Sequence, residues 1–507
     1  MSLTRRRFLA GTAASLSLPA APPARPNLVY VFADQLRYQS CGYAGDEYAR
    51  TPNIDRLAAQ GCNFHQAISN TPVCAPHRAS LMTGKCQSST GMVINELRLS
   101  PEQETFGRVL TRGGYRTAYI GKWHLWANEL GRHEETRNGF VPPGPYRLGF
   151  DDYWAAYNFN HTYYKSPYFE DDATRHIRQE YEPDSQTGSA IRFLEEQAKS
   201  GHPFALFLSW GPPHDPWDDA NVPPEYRELF RGVMLPKRPN YSEVSDPYAD
   251  DWAKLPRDYP RMIDAWQRVY YAQTANIDWN VGRLMEALER TNLAGDTIFV
   301  FTSDHGEMFG AHGRRAKCIF YEEAARVPFL VRWPGHIPAK LVSDALLGTT
   351  DIMPTLLSMM DLPVPPSVEG VDLSRHARGE AGSVPDAAHM QGMGTTAAWT
   401  DGTEWRALRD HEYTYAVYRR DGHELLFRHR TDPYQMRELS EDRSQAAVLR
   451  YYRERSQAWR KERNDTFESC TWYRDHWTRD RNIVMTAAGV KQDLAALERI
   501  RAQWPIR

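Results

Sequence analysis

Four short apolar runs in this chain each stop at side chains that can hold a metal or move a proton. Residues 27–32 lead to Asp34 and Gln35, and residues 117–120 lead to Lys122 and His124. Residues 204–208 precede His214, and residues 297–301 precede Asp304 and His305. Carboxylate and amide oxygens are hard donors that suit Ca²⁺ or Mg²⁺. Imidazole suits transition metals and, titrating near neutrality, general acid–base work. A fifth stretch, Cys74-Ala75-Pro76-His77-Arg78 followed by Leu81, Thr83 and Gly84, sets a thiol four residues before a guanidinium. By itself it reads either as a group used in covalent chemistry or as a buried free cysteine before a proline turn. Taken singly, each strand-end residue is equally a turn cap or a surface charge. Together they point to one shared site.

The elements that must position these residues are readable as well. Continuous rather than alternating apolarity fits strands covered on both faces, as in a parallel sheet flanked by helices. In such open α/β sheets ligands gather beyond the carboxyl ends of the strands. Residues 51–61 read as a short helix with Pro52 near its start and Gly61 after its end. Residues 270–291 carry Ile277, Val281, Leu284 and Leu288 at helical spacing. The stretch 211–260, rich in Pro, Asp, Trp and Tyr, reads as long loops over the site. A Gly/Ala/Ser/Pro-rich shift at 376–398 marks a domain boundary. Beyond it, residues 405–408, 413–417 and 424–427 look like strands of an antiparallel sheet, and 492–504 has a helical character. The expected division is therefore a leader at 1–24, a catalytic domain at 25–385 and a C-terminal subdomain at 386–507.

Composition excludes some classes. With 507 residues, 41% hydrophobic and 25% charged, the chain has ordinary globular proportions and room for a large α/β domain plus a smaller one. A net charge of −3 lacks the basic excess of a nucleic-acid binder, so no nucleic-acid partner is expected. Thr4-Arg5-Arg6-Arg7-Phe8-Leu9 and the weakly apolar run to Ala21 resemble a twin-arginine export signal, with small residues at Ala20, Ala21 and Ala24 as exits. That run falls short of the roughly 18 apolar residues a bilayer span needs. A periplasmic or secreted protein that uses the twin-arginine export machinery, without a stable membrane anchor, is the expectation. The six cysteines match no zinc spacing, and mostly free, buried thiols are expected.

The ordered landmarks resemble type I, formylglycine-dependent sulfatases of the alkaline phosphatase superfamily. They run from Asp34-Gln35 through the Cys74 string, Gly121-Lys122-Trp123-His124, Pro213-His214, Ser303-Asp304-His305-Gly306-Glu307 and Lys317 to Arg326-Val327-Pro328 and Pro334-Gly335. The stretch from Glu424-Leu425 to Asp432-Pro433 and Leu439 resembles that family's C-terminal part. The resemblance implies an α/β fold: a large mixed, mainly parallel sheet sandwiched by helices, with a smaller C-terminal α+β subdomain bearing an antiparallel sheet. It implies a maturase that oxidises Cys74 to formylglycine, and a Ca²⁺ (or Mg²⁺) held by Asp34, Gln35, Asp304, His305 and residue 74. It further implies that Arg78 offsets charge and that Lys122 and Lys317 grip sulfate. His124 would deprotonate the residue-74 hydroxyl, and His214 would protonate the departing alcohol. The chain departs from the family pattern at Gln35 (often Asp), His305 (often Asn) and His77 (usually Ser).

The expected activity is hydrolysis of a sulfate monoester on a carbohydrate, or else an aryl sulfate. The alternatives are a phosphodiesterase or phosphonate monoester hydrolase of the same superfamily, and a glycan-binding pseudoenzyme. Tyr153, Trp154, Tyr157, Phe159, Tyr163 and Tyr164 either stack on sugar rings or pack into the core. His312 is left without a role.

Overall fold

In the computed structural model, residues 25–489, 492 and 494–504 are described; the leader at 1–24 lies outside them. The chain runs β1 (Asn27–Ala33), α1 (Pro52–Gln60), β2 (Cys62–Phe64), α2 (Cys74–Thr83), β3 (Arg116–Lys122) and β4 (Tyr153–Tyr157). It continues with α3 (Glu182–Ser200), β5 (Phe204–Ser209), α4 (Tyr259–Arg290), β6 (Thr297–Ser303), β7 (Phe329–Arg332) and β8 (Leu341–Ser343). After α5 (Thr349–Met359) come β9 (Ala388–Gly392), β10 (Trp405–Arg409), β11 (Thr414–Tyr418), β12 (Glu424–Phe427) and α6 (Ala446–Glu462). Shorter helices and bridges connect them.

The eight-stranded sheet has the order β8-β2-β7-β6-β1-β5-β3-β4. Its five contiguous strands from β6 to β4 are parallel, while β7 runs antiparallel to both neighbours. The four apolar runs are all strands of that parallel block. Alternate residues of β1 feed opposite layers: Leu28, Tyr30 and Phe32 pack on the α2 and α5 side, Val29, Val31 and Ala33 on the α1, α3 and α4 side. Two-sided burial is why these strands lack a polar alternation. All four carboxyl ends open on the same edge.

Helix α4 begins at Tyr259, with Pro260 in its first turn, eleven residues before the expected start at 270. Helix α3 and strand β9 were not read from the sequence. The C-terminal sheet is four-stranded and antiparallel, β9-β10-β11-β12. One face (Met390, Trp405, Ala416, Phe427) packs on Met308, Ile319 and Phe320 of the larger body. The other face (Leu408, Tyr415, Leu426) is covered by Leu449 and Tyr452 of α6. All six cysteines are buried and unpaired. Among the described residues, no helix is long and apolar enough to cross a membrane.

Candidate active site

Residue 74 opens helix α2, at the carboxyl edge of the sheet. Its Sγ lies 3.2 Å from His305 Nε2, 3.6 Å from Asp34 Oδ1 and 3.3 Å from Lys317 Nζ. One ligand atom each from Asp34, Cys74, Asp304 and His305 fall within 4.8 Å of one another, all four residues buried. Asp34 and Asp304 come from the ends of adjacent β1 and β6, which the parallel register sets side by side.

This cluster fits a divalent cation on its own chemistry. His305 Nδ1 sits 3.0 Å from the Gly306 carbonyl, so Nδ1 carries the proton and donates. The bare Nε2 lone pair then faces Asp34 Oδ1 and Asp304 Oδ1, each 3.6 Å away. Three electron-rich atoms around one point repel one another unless a cation sits among them. Burial and the charge of Asp34 hold the Asp304 carboxyl above the usual range. Asp34 stays well below it despite burial and Cys74, because Lys122, His214 and Lys317 surround it. Oxygen donors from two carboxylates suit Ca²⁺ or Mg²⁺.

Further hydrogen bonds tie these ligands down. Asp304 Oδ1 accepts the backbone N–H groups of Gln35 (3.0 Å) and His305 (2.9 Å). Lys122 Nζ donates to Asp34 Oδ2 at 2.5 Å. Arg78, fully buried, reaches both carboxylates at 3.2 and 3.4 Å and is fixed by the Lys122 carbonyl and Ser209 Oγ, each 2.7 Å away. Its guanidinium therefore offsets the charge of the ligands rather than reaching outward. Gln35 Nε2 donates to Glu307 Oε2, and its Oε1 accepts from Lys317 Nζ at 2.8 Å. Gln35 thus turns its amide oxygen to the lysine, while the carboxylates, thiol and imidazole converge.

Two histidines stand apart from the ligand cluster. Both ring nitrogens of His124 are buried and lack a hydrogen-bond partner among the described residues. Burial and Lys122 push this imidazole down to about 3, opposed by neighbouring Cys74. Its backbone adopts φ 55°, a left-handed conformation that non-glycine residues keep only when the surroundings enforce it. Unpaired buried polar groups call for a reason, and a proton-transfer role supplies one. His214 Nδ1 lies 2.9 Å from both the carbonyl and a carboxylate oxygen of Asp215, and Nε2 lies 2.5 Å from Lys317 Nζ. Burial and Lys317 lower its affinity for a proton, yet Asp215 and Asp34 outweigh them and raise it to about 9. A direct N···N contact needs a lone pair on one side. The imidazolium form therefore requires these two nitrogens to move apart.

Above these groups lies a cavity of about 410 Å³, with Cys74, Phe159, His161, His214, Trp217 and Lys317 among its lining. The Cys318 carbonyl accepts from Trp405 Nε1 at 3.1 Å and the Cys318 N–H donates to the Pro72 carbonyl at 3.0 Å. The C-terminal sheet and the turn before Cys74 thus hold Lys317 in place. All ten residues expected at the site, Asp34, Gln35, Cys74, Arg78, Lys122, His124, His214, Asp304, His305 and Lys317, gather at this one edge. Of the aromatic cluster, Trp154, Tyr157 and Tyr163 are core: Trp154 packs on Tyr119, Tyr157 bonds Glu182, and Tyr163 Oη donates to the His214 carbonyl at 2.8 Å. Tyr153 packs on Phe193 and Tyr164 on Tyr181. Only Phe159 of the six lines the cavity, under Lys122 and beside His124. His312 stacks on Tyr321 and is not part of the lining.

Sequence reasoning passed over Asp215, His161 (stacked on His214 at 3.9 Å), Ser209 and the orienting role of Glu307. Their signals are weak: His161, Ser209 and Glu307 work through contacts distant in sequence, and Asp215 reads as a turn residue until the ring of His214 is placed against it.

Comparison with known proteins agrees with this geometry. The family model described as Sulfatase matches residues 26–362, and one described as N-sulphoglucosamine sulphohydrolase, C-terminal, matches 310–462. An ulvan-active sulfatase of Formosa agariphila is 36% identical over 421 residues, covering 82% of this chain and 77% of its own. An N-acetylglucosamine-6-O-sulfatase of Bacteroides thetaiotaomicron is 27% identical over 414 residues, covering 69% of this chain and 70% of its own. The crystal structure of the yidJ protein of Bacteroides fragilis superimposes with a TM-score of 0.77 at 31% identity, covering 90% of this chain and 99% of its own.

Proposed function

We propose how sulfate ester hydrolysis runs in this chain, which belongs to the sulfatase family. The substrate class is a sulfated carbohydrate, supported by the relatives that act on ulvan and on N-acetylglucosamine 6-sulfate by name. Residue 74 works as formylglycine, whose hydrate supplies a hydroxyl nucleophile and later expels sulfate by returning to the aldehyde. A divalent cation, Ca²⁺ or Mg²⁺, would be held by Asp34, Gln35, Asp304, His305 and the residue-74 oxygen, and supplies Lewis-acid polarisation of a sulfate oxygen.

The chain's own side chains do the remaining work. Lys122 and Lys317 flank residue 74 and present fixed positive charge where negative charge develops on the transferring sulfate. Arg78 keeps Asp34 and Asp304 compatible in one dry site. His214, backed by Asp215, donates a proton to the leaving alcohol oxygen. His124, neutral and unpartnered, takes the proton from the residue-74 hydroxyl. The leader at 1–24 directs the chain through twin-arginine export to the periplasm, and a maturase converts Cys74 beforehand. Residues 25–385 form the catalytic domain and 386–507 the subdomain that supports Lys317.

The convergence of Cys74 Sγ with His305, Asp34 and Lys317 within 3.6 Å carries this reading. Sulfate release from ulvan oligosaccharides and from an aryl sulfate, set against the matched aryl phosphate and phosphonate, tests it. Turnover of the sulfate esters above the phosphorus esters is expected. Preferential hydrolysis of the phosphorus esters would overturn it.

A further inference from the structure

A second cavity, about 720 Å³ against the 410 Å³ of the active site, opens between the loop after β1 and the C-terminal sheet. The two share no lining residue. Six arginine or lysine side chains and three histidines line it against three carboxylates. For a chain of net charge −3 this basic excess is local. Charges on both sides are partly spent: Glu322 pairs with Arg409 at 2.8 Å and Arg326 at 3.7 Å, Arg238 pairs with Glu323 at 2.7 Å, and Arg430 pairs with Glu412. Asp46 accepts from the Tyr271 hydroxyl. This leaves Arg37 and Lys237 as the cations of the lining without an acidic partner among the described residues.

Two buried side-chain atoms in the wall lack hydrogen-bond partners among the described residues. Arg37 is 4% exposed; its Nε donates to Ser40 Oγ at 2.8 Å, but Nη1 has no hydrogen-bond partner among the described residues. Gln267 is 2% exposed, and its Oε1 likewise has none. Leaving such groups unpaired in a folded protein is costly. One needs an acceptor and the other a donor. A ligand that carries anionic oxygens and hydroxyls satisfies both, and Lys237 and Arg430 stand exposed at the rim to meet further charge.

We propose that this cavity is a second, non-catalytic site for a hydroxyl-bearing polyanion, a sulfated polysaccharide segment. Bound there, a polymer raises the effective concentration of its other sulfates at the active site without any new catalytic contact. The anion site stands on the geometry; its sugar occupant rests on the substrate class proposed above.

Affinity electrophoresis of the full chain in gels with dextran sulfate, with uncharged dextran, and without polymer tests the proposal. The variant is Lys237→Glu with Arg430→Glu, both exposed and outside the catalytic machinery; Arg430 gives up only an exposed pair with Glu412. Dextran sulfate should retard the wild type and dextran should not, and the double variant should bind at least about tenfold more weakly. Its turnover of 4-nitrophenyl sulfate should equal that of the wild type. Equal retardation of variant and wild type would overturn the site. Equal retardation by dextran would overturn the need for anionic groups. A calorimetric titration in which inorganic sulfate binds as tightly as dextran sulfate, and loses that binding in the variant, would overturn the polysaccharide occupant. Retention of dextran sulfate binding by a protein that turns over no sulfate ester supports this site and contradicts the catalytic reading.

Discussion

Glu307 aims Gln35. The Glu307 Oε2 accepts from Gln35 Nε2 at 2.5 Å, and its Oε1 accepts the N–H groups of Phe309 (3.0 Å) and Ala316 (2.7 Å). A carboxylate pinned by three donors leaves the Gln35 amide one orientation, with Oε1 toward the site. Where an aspartate is frequent, a glutamine thus still offers an oxygen.

Disturbing that pair should weaken the cation before it weakens the fold. Glu307→Gln replaces one acceptor oxygen with a donor, and roughly 10–100-fold lower metal affinity is expected. Calcium titration of the chelator-treated protein, with circular dichroism as the check on folding, measures this. Unchanged affinity in a folded variant would remove Gln35 from the ligand set.

The pH profile should carry the signature of His214. Raised to about 9 by Asp215 and Asp34, it remains a proton donor at neutral pH, and kcat should fall as pH rises through about 9. His214→Ala should lose that alkaline limb and lose most activity on sulfate esters with poor leaving alcohols. An equal loss on activated and unactivated esters would contradict the acid role.

Gly121 is where the backbone of β3 must pass another strand. It adopts φ 99°, and a Cβ there would sit 2.0 Å from the Ser209 carbonyl oxygen. Gly121→Ala should cost about 1–3 kcal/mol in chemical denaturation and displace neighbouring Lys122 enough to abolish turnover. Wild-type stability would show that β3 and β5 are not packed this closely.

Glu322 ties the C-terminal sheet to the larger body. Its carboxylate is buried against Arg409 of β10 and Arg326, whose charges outweigh burial and hold it at about 2. A carboxylate lowered on folding stabilises the native state above its ordinary value near 4.5, and that contribution disappears as pH falls toward 2. Glu322→Gln leaves Arg409 without its counter-charge, at a cost of roughly 3–5 kcal/mol near neutrality. The gap in melting temperature between variant and wild type should be widest at pH 6–7 and close on acidification. A gap independent of pH would contradict the ionic origin.

The strands that carry the site were legible because two-sided burial writes itself as unbroken apolar runs, as in residues 204–208 and 297–301. Asp34, Gln35, Lys122, His124, His214, Asp304 and His305 were legible because each follows such a run, whereas Cys74, Arg78 and Lys317 were marked by the family resemblance. Helix α3 was not: its apolar positions, such as Ala190, Phe193 and Leu194, are sparse, and Pro183 and Gly188 interrupt the pattern. The antiparallel placement of β7 depends on contacts with β6 and β2 that no local pattern encodes. Tyr157 and Tyr163 read as possible sugar platforms because an aromatic residue looks the same in sequence whether it faces a cavity or a core. Asp215 gains its meaning only from the ring of His214 beside it.

The conversion of residue 74 decides the whole account. Peptide mass spectrometry of the fragment containing residue 74, from active protein purified out of its own host, reads it directly. The account predicts that the cysteine sulfur is gone and an aldehyde stands in its place. An intact thiol at residue 74 in fully active enzyme would contradict it.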